Sequence, residues 1–576
     1  MASDKIKRFI TEHYEKIIPL LHFLLSFTWQ GTIFLGSGNW EYFTSIVRNE
    51  NVISSANELL LVNLLSRIFC FLIILGFWRI VFFVLRKKVR TPDLIILGSI
   101  WLLVLLAGIF LFPDSFGSEI DNYTNFLMAR RFQPTYWQSV YTGAFYGGCL
   151  MVIPHPFGIF LIQWTFFWSV ISYIYLGIGR LSGNSSIRYI VLLFFLLPEA
   201  YNIAFNPYRN NLYTVLVLWY IATLYFTIRD RTAVDARHIA MFSLFTAFVM
   251  VWRSEGLLIG AGGVLICLFF VLGVQKGSLK KCLILLVTVG ACFMLVNQIQ
   301  ALGAKKYYGQ DYMIMNTTTV LHSLFNDPEA DLSYPGADED LKAIGSVVPV
   351  EVLKDCDKDG YRDYNWTSGR KDFNQTLATD EQASAYMAAY FHIVMYNMNS
   401  YLNVQLNSFY DALGIPASRK TYTHEGENAV KLDSFGYDQW GMGRNEVEHT
   451  LGTLAWSESR KRTTMAVLIT SVIGIWRDLV SKSGLNPLLH GLSIIALALL
   501  CAKELFLLLE NGKGRKRSLP FIIAFMTILG EYGLILLFMP GGNPAYLYPL
   551  LFSGYLVLYL YWLEHSVFVK KPQTLS

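Results

Sequence analysis

Apolar runs long enough to cross a bilayer recur along this chain, and no other feature restricts its fold as much. They lie at about 17–36, 60–86, 94–112, 157–178, 189–206, 211–228, 238–252, 256–274, 282–299, 486–506, 519–538 and 547–564. A hydrocarbon core of roughly 30 Å takes about 20 residues of helix. Inside lipid only helices and closed barrels satisfy their own backbone. Twelve runs of helical length therefore predict an all-α polytopic membrane protein. Composition agrees: 54% of the 576 residues are hydrophobic, 15% are charged and mean hydropathy is +0.40. Soluble domains carry about 25% charged residues. Aromatic residues make up 15%, in keeping with Trp and Tyr belts at bilayer interfaces.

The net charge of +5 is modest, and Lys and Arg gather between apolar runs. That pattern reads as cytoplasmic-loop bias rather than nucleic-acid binding. The positive-inside rule orients the chain with both termini inside. Arg86 to Arg90, Arg180 to Arg188, Arg229 to Arg237, Lys276 to Lys281, Lys513 to Arg517 and Lys570-Lys571 then all fall on one face. This holds only if the Gly- and Tyr-rich stretch 137–153 does not cross, so it is expected to be interfacial or re-entrant on the outer side. The first run follows Lys5, Lys7, Arg8 and Lys16 without an Ala-x-Ala cleavage pattern, and is read as a retained span. The expected location is the plasma membrane.

The seven cysteines, Cys70, Cys149, Cys267, Cys282, Cys292, Cys356 and Cys501, mostly lie within apolar stretches, and no CxxC pair is present. Neither a disulfide framework nor a zinc site is expected. Four regions follow: a two-span extension over 1–90, a membrane core over 91–299 with an acidic outer loop at 113–156, an extracytoplasmic segment over 300–485, and the final spans over 486–576. The large segment is too long for a passive connection. Within it, 387–413 and 463–476 are expected to lie along the membrane.

Chemistry-bearing residues collect at the predicted outer turns. Asp114, Glu119 and Asp121 fall within eight residues just after the run 94–112. Acids at the mouth of a span are costly unless paired, hydrated or used. One of them could act as a general base on an attacking hydroxyl. They could equally bind a divalent cation, Mg2+ or Mn2+, beside a phosphate, or cap a helix starting near Tyr123. Arg209, in Asn206-Pro-Tyr-Arg-Asn-Asn211, and Arg253, in Trp252-Arg-Ser-Glu-Gly256, could clamp phosphate bidentately. Alternatively Arg209 reaches lipid headgroups, and Arg253 pairs with Glu255 to hold a turn. Tyr546 and Tyr548, before Pro549, could stack on a ligand or join the aromatic belt. No Walker A, HExxH or GxSxG pattern is present, and the residues name no cofactor.

The order of these motifs resembles the GT-C class of integral-membrane glycosyltransferases. Pro113 to Asp121 resembles that class's acid loop, Pro134 to Tyr141 its lead into an interfacial helix, Trp252 to Gly256 its Arg-x-Glu-Gly turn, and Ala545 to Pro549 its turn before a late helix. The likeness covers roughly 90–300 and the final spans. It implies transfer of a sugar from a polyprenyl-phosphate donor to an extracytoplasmic glycan, cell-wall polymer or lipid. Asp121 is favoured as base, followed by Asp114 and Glu119, and Arg209 and Arg253 would face the departing phosphate. Asn210 stands where the class has an acid, Ala545 where it commonly has an arginine, and two extra spans precede the acid loop. A cation-independent mechanism fits these departures. Two other readings remain open. One is a polysaccharide polymerase or ligase that relies on arginines. The other is a lipid-linked glycan transporter, which would show paired repeats and mid-membrane charges.

Overall fold

The computed structural model describes residues 2–34, 56–86, 88–111, 120–130, 132–134, 139–183, 186–197, 199–230, 235–274, 279–307, 309–354, 379–413, 459–511, 515–538 and 544–567. Among these, helices account for all regular structure. They are α1 (Ala2–Phe34), α2 (Ala56–Leu85), α3 (Thr91–Leu111), α4 (Ile120–Arg130), α5 (Val140–Val152), α6 (Phe157–Ser182), α7 (Ala200–Phe205), α8 (Arg209–Arg229), α9 (Ala236–Trp252), α10 (Gly256–Phe269), α11 (Leu279–Tyr307), α12 (Gly309–Phe325), α13 (Ala337–Gly345), α14 (Val350–Lys354), α15 (Asp380–Tyr396), α16 (Met398–Ala412), α17 (Arg460–Lys482), α18 (Leu485–Asn511), α19 (Arg515–Phe538) and α20 (Tyr548–Trp562). Nine of the described helices are long and apolar enough to span a bilayer: α2, α3, α6, α8, α10, α11, α18, α19 and α20 with its flanking turns. The protein is therefore an all-α, multi-pass membrane architecture.

Three of the twelve expected spans take other forms. The run 189–206 is interrupted: a 3-10 helix covers Ile187–Leu196, Leu197 turns extended (φ −61°, ψ 145°), and α7 follows. Pro198 explains the break, since the residue before a proline is pushed out of the helical region. The run 238–252 forms the 17-residue α9, about 26 Å long at 1.5 Å per residue. The first run belongs to the 33-residue α1, which carries Pro19 and is not among the nine.

The chain divides into two compact units, 1–219 with 429–478, and 220–428 with 479–576. In the first, α5 is buried from Val140 to Met151 and packs on α2. Its 13 residues reach about 20 Å, shorter than a hydrocarbon core of roughly 30 Å. Small residues permit the close approach: a Cβ on Gly148 would meet Phe69 Cβ at 2.7 Å and Cys70 N at 2.9 Å. Helices in lipid commonly meet through such small residues. A buried charge cluster ties α3 to α6 and the 3-10 helix. The Asp93 carboxylate accepts from Arg188 Nη1 at 2.9 Å and Tyr175 Oη at 2.9 Å, and pairs with Arg90 Nε at 3.1 Å. The stretch 463–476 lies inside the 23-residue α17. There Arg462 Nη1 donates to the Phe110 carbonyl at 2.9 Å, occupying one of the acceptors that a helix C-terminus leaves open.

In the second unit, α9, α10 and α11 share one apolar cluster, and α16, α18, α19 and α20 share another. Helices α12 to α16 form a smaller body outside the spans, with Leu321, Leu324, Ile344, Tyr386 and Ile393 at its centre. Thr379 and Gln382 make a reciprocal capping box at the start of α15, which satisfies two end donors. Tyr386 Oη and Thr318 Oγ1 lie 2.8 Å apart; burial pushes this phenol up to about 12.

Candidate functional site

In the second unit a compact polar cluster forms at the turn between α9 and α10. Arg253 leaves α9 in an extended conformation (φ −140°, ψ 147°), which swings the chain around so that Gly256 starts α10. This geometry lets two side chains only two positions apart face each other. Arg253 Nη2 donates to Glu255 Oε1 at 2.6 Å, and Nε to Oε2 at 3.2 Å. Ser254 Oγ donates to Glu255 Oε2 at 3.1 Å. The guanidinium carbon sits 4.6 Å from the centroid of the Tyr546 ring. Tyr546 belongs to the single 3-10 turn Pro544–Tyr546 ahead of α20. An arginine over a tyrosine face gains cation–π attraction that grows as water is excluded, and the Arg253 side chain is only 3% exposed.

A second acid, Glu531, lies on α19, which packs against α10, and the sequence pattern does not single it out. It is 1% exposed; its Oε2 is buried with no hydrogen-bond partner among the described residues. Both Glu255 and Arg253 are within its electrostatic reach. Its helix crosses α10 closely: a Cβ on Gly530 would touch Leu258 at 3.4 Å. One acid inside a strongly apolar run scarcely alters the mean hydropathy, so the run 519–538 reads simply as a span. The available signal was Gly530-Glu531-Tyr532-Gly533 itself, an acid flanked by glycines within a membrane run. Glu504 on α18 is likewise 1% exposed, and Tyr561 Oη donates to its Oε1 at 2.6 Å. Two buried acids, Glu504 and Glu531, thus lie within the long apolar helices α18 and α19.

In the first unit the residues around 202–211 build a network of buried amides. Asn122 Nδ2 donates to Asn206 Oδ1. Tyr146 Oη donates to the Pro207 carbonyl at 2.7 Å and to Asn122 Oδ1 at 3.2 Å. Gln163 Nε2 reaches the Ile203 and Asn206 carbonyls, each at 2.8 Å, and Asn211 Nδ2 reaches the Asn202 and Asn206 carbonyls at 3.1 and 2.8 Å. These carbonyls end α7, so side chains supply what the broken helix cannot. Arg209 opens α8 beside this network and is half-buried. Asn125 on α4 is buried, and neither of its amide atoms has a partner among the described residues.

Arg253, Glu255 and Tyr546 come together. Tyr548 is buried at the head of α20. Asp121 lies in the first turn of α4, and its backbone is tied to the Arg209 segment through the Asn122–Asn206 bond. The Asp121 side chain is outside the described residues, and so are Asp114 and Glu119. Among the described residues no group of three His, Cys, Asp or Glu side chains could hold a metal ion. No protein-family model matches the chain, and neither the curated proteins nor the solved structures compared with it gave a match.

Proposed function

We propose that this protein is a membrane glycosyltransferase of GT-C type, moving a sugar from a polyprenyl-phosphate donor to a glycan, cell-wall polymer or lipid on the outer membrane face. The observation that carries the reading is the grouping of Arg253, Glu255 and Tyr546, which brings together two of the turns that resemble the class. Glu255 and the Tyr546 ring hold the guanidinium in place. A fixed cation in a water-poor site stabilises charge as it develops, at no cost of reorganisation during reaction. In this scheme one acid of the 114–121 loop takes the proton from the acceptor hydroxyl, the acceptor oxygen attacks the anomeric carbon, and the prenyl phosphate departs with the bonding electron pair. Arg253 in this scheme stabilises the charge of the departing phosphate.

The test is transfer from a radiolabelled lipid-linked sugar in membranes carrying Asp114→Asn, Glu119→Gln or Asp121→Asn singly. Loss of transfer by about 10²-fold or more in one variant is expected for a missing general base. Full activity in all three defeats the catalytic assignment and favours the arginine-dependent polymerase or ligase. A second reading, a lipid-linked glycan carrier, draws support from Glu531, because intramembrane acids also mark transport pathways. A carrier would move labelled lipid-linked glycan across vesicle membranes with no acceptor present.

A further inference from the structure

Helix α17 presents an apolar stripe outward. Met465, Leu468, Val472, Ile475, Trp476 and Leu479 recur at helical spacing, so they share one face. Leu468, Val472, Ile475 and Leu479 are each at least 57% exposed. Thr463, Thr470 and Gly474 fall on the opposite face, and Val467 lies outside the stripe. A contiguous exposed apolar surface marks a protein or membrane contact. The first turn carries Arg460, Lys461 and Arg462, against a helix dipole that favours anions there. An anionic neighbour would offset that mismatch.

The two ends of α17 narrow the choice of neighbour. The Arg462 side chain is buried and donates to the Phe110 carbonyl at 2.9 Å, in the last turn of the span Thr91–Leu111. After Lys482 the chain turns at Gly484 in the left-handed region (φ 67°), and the next span opens at Leu485. The first of these spans follows the basic stretch 86–90, and the second leads into the basic stretch 513–517. Both stretches belong on the inner face, which puts Phe110 and Leu485 at the outer one. A helix of 23 residues, about 34 Å long, with both ends at one face runs along that face instead of through the bilayer.

We infer that α17 is an in-plane anchor on the outer leaflet. Its Met465 to Leu479 stripe sinks among the acyl chains, and Arg460 and Lys461 meet the phosphates of the lipid headgroups. The donor reading above plays no part in this assignment and stands or falls separately.

The test uses the full chain in vesicles of phosphatidylcholine and phosphatidylglycerol. A nitroxide is attached at one introduced cysteine at a time, and the signal of equally treated wild type is subtracted. Met465→Cys, Leu468→Cys, Val472→Cys and Ile475→Cys report the stripe; Thr463→Cys, Thr470→Cys and Gly474→Cys report the opposite face. A Cβ at Gly474 meets nothing within 4 Å. Collisions with oxygen, which concentrates in acyl chains, are compared with collisions with a water-soluble nickel chelate. Oxygen is expected to dominate along the stripe at one constant depth, and nickel on the opposite face. Depth that changes steadily from 463 to 475 without helical period would make α17 a span and overturn the inference. Nickel access along the stripe would leave it in water, and weak collision with both reagents would give it a protein cover; either result also overturns it. Arg460→Gln/Lys461→Gln is expected to raise nickel access at the Met465→Cys label. No change there removes the headgroup contact from the assignment.

Discussion

Arg253 and Glu255 form a two-pronged ion pair across a single intervening residue, with Nη2 to Oε1 at 2.6 Å and Nε to Oε2 at 3.2 Å. The arginine is 3% exposed and the glutamate 21%. Breaking a buried pair from one side leaves an uncompensated charge, at about 3–5 kcal/mol, whereas replacing both partners by apolar groups is often neutral. The partial exposure of Glu255 places Glu255→Leu near the lower end, about 3 kcal/mol. The double variant Arg253→Leu/Glu255→Leu is expected to lose clearly less stability than the two single losses added together. Detergent-phase melting of the four forms completes the cycle. Strict additivity would show that the pair contributes no coupling.

The helical, membrane-spanning character of the chain was legible because it depends on run length and hydropathy alone. What escaped depends on single residues whose meaning comes from partners distant in sequence. Pro198 interrupts one run that hydropathy averaging reads as continuous. Asp93 looks like an ordinary helix-start acid until Arg188 and Tyr175 arrive beside it. Glu531 is one acid among apolar neighbours. The Arg253–Glu255 pair was readable, since two positions in a tight turn fix their own proximity. Tyr546 over Arg253 has no local signal, and only the place of both residues at predicted outer turns pointed to it.

Asp93 should be among the most sensitive positions for stability in the first unit. Its carboxylate is 1% exposed and is shared by Arg188, Arg90 and Tyr175. Asp93→Ala strands the buried Arg188 and is expected to cost about 3–5 kcal/mol. Tyr175→Phe removes one hydrogen bond to a charged group, about 1.5–3 kcal/mol. The order of melting temperatures, wild type above Tyr175→Phe above Asp93→Ala, checks this. A Tyr175→Phe protein less stable than Asp93→Ala would contradict it.

Close approach of α5 to α2 predicts contrasting outcomes for two helical glycines. A Cβ at Gly148 would meet Phe69, Cys70 N and the Ser66 carbonyl at 2.7 to 3.0 Å, two of these being backbone atoms. Gly148→Ala is therefore expected to push the helices apart and cost about 1–3 kcal/mol. At Gly76 nothing lies within 4 Å, and Gly76→Ala should gain up to about 1 kcal/mol from helix propensity. Yield and melting temperature of the two variants, measured side by side, should move in opposite directions.

Acid should loosen the junction between α12 and α13 before it affects the helices around it. Hydrogen bonds from Ser333 Oγ at 2.7 Å and Ser333 N at 2.8 Å hold the Asp331 carboxyl below its ordinary value. The same segment is anchored to Asn397, whose Oδ1 accepts from Asp331 N at 2.6 Å and whose Nδ2 donates to the Asp331 carbonyl at 2.9 Å. A carboxyl lowered in the folded state contributes stability above its unfolded value, near 3.9. That contribution disappears as pH falls through the lower folded value. Hydrogen-exchange protection across 331–334, corrected for intrinsic rates, should stay constant from pH 6 to about pH 4 and decline below it. Asp331→Asn carries no titrating group, so its protection at Ser333 should be weaker at neutral pH and flat through the acid range. A decline of equal size in that variant would assign the acid sensitivity to a different carboxyl.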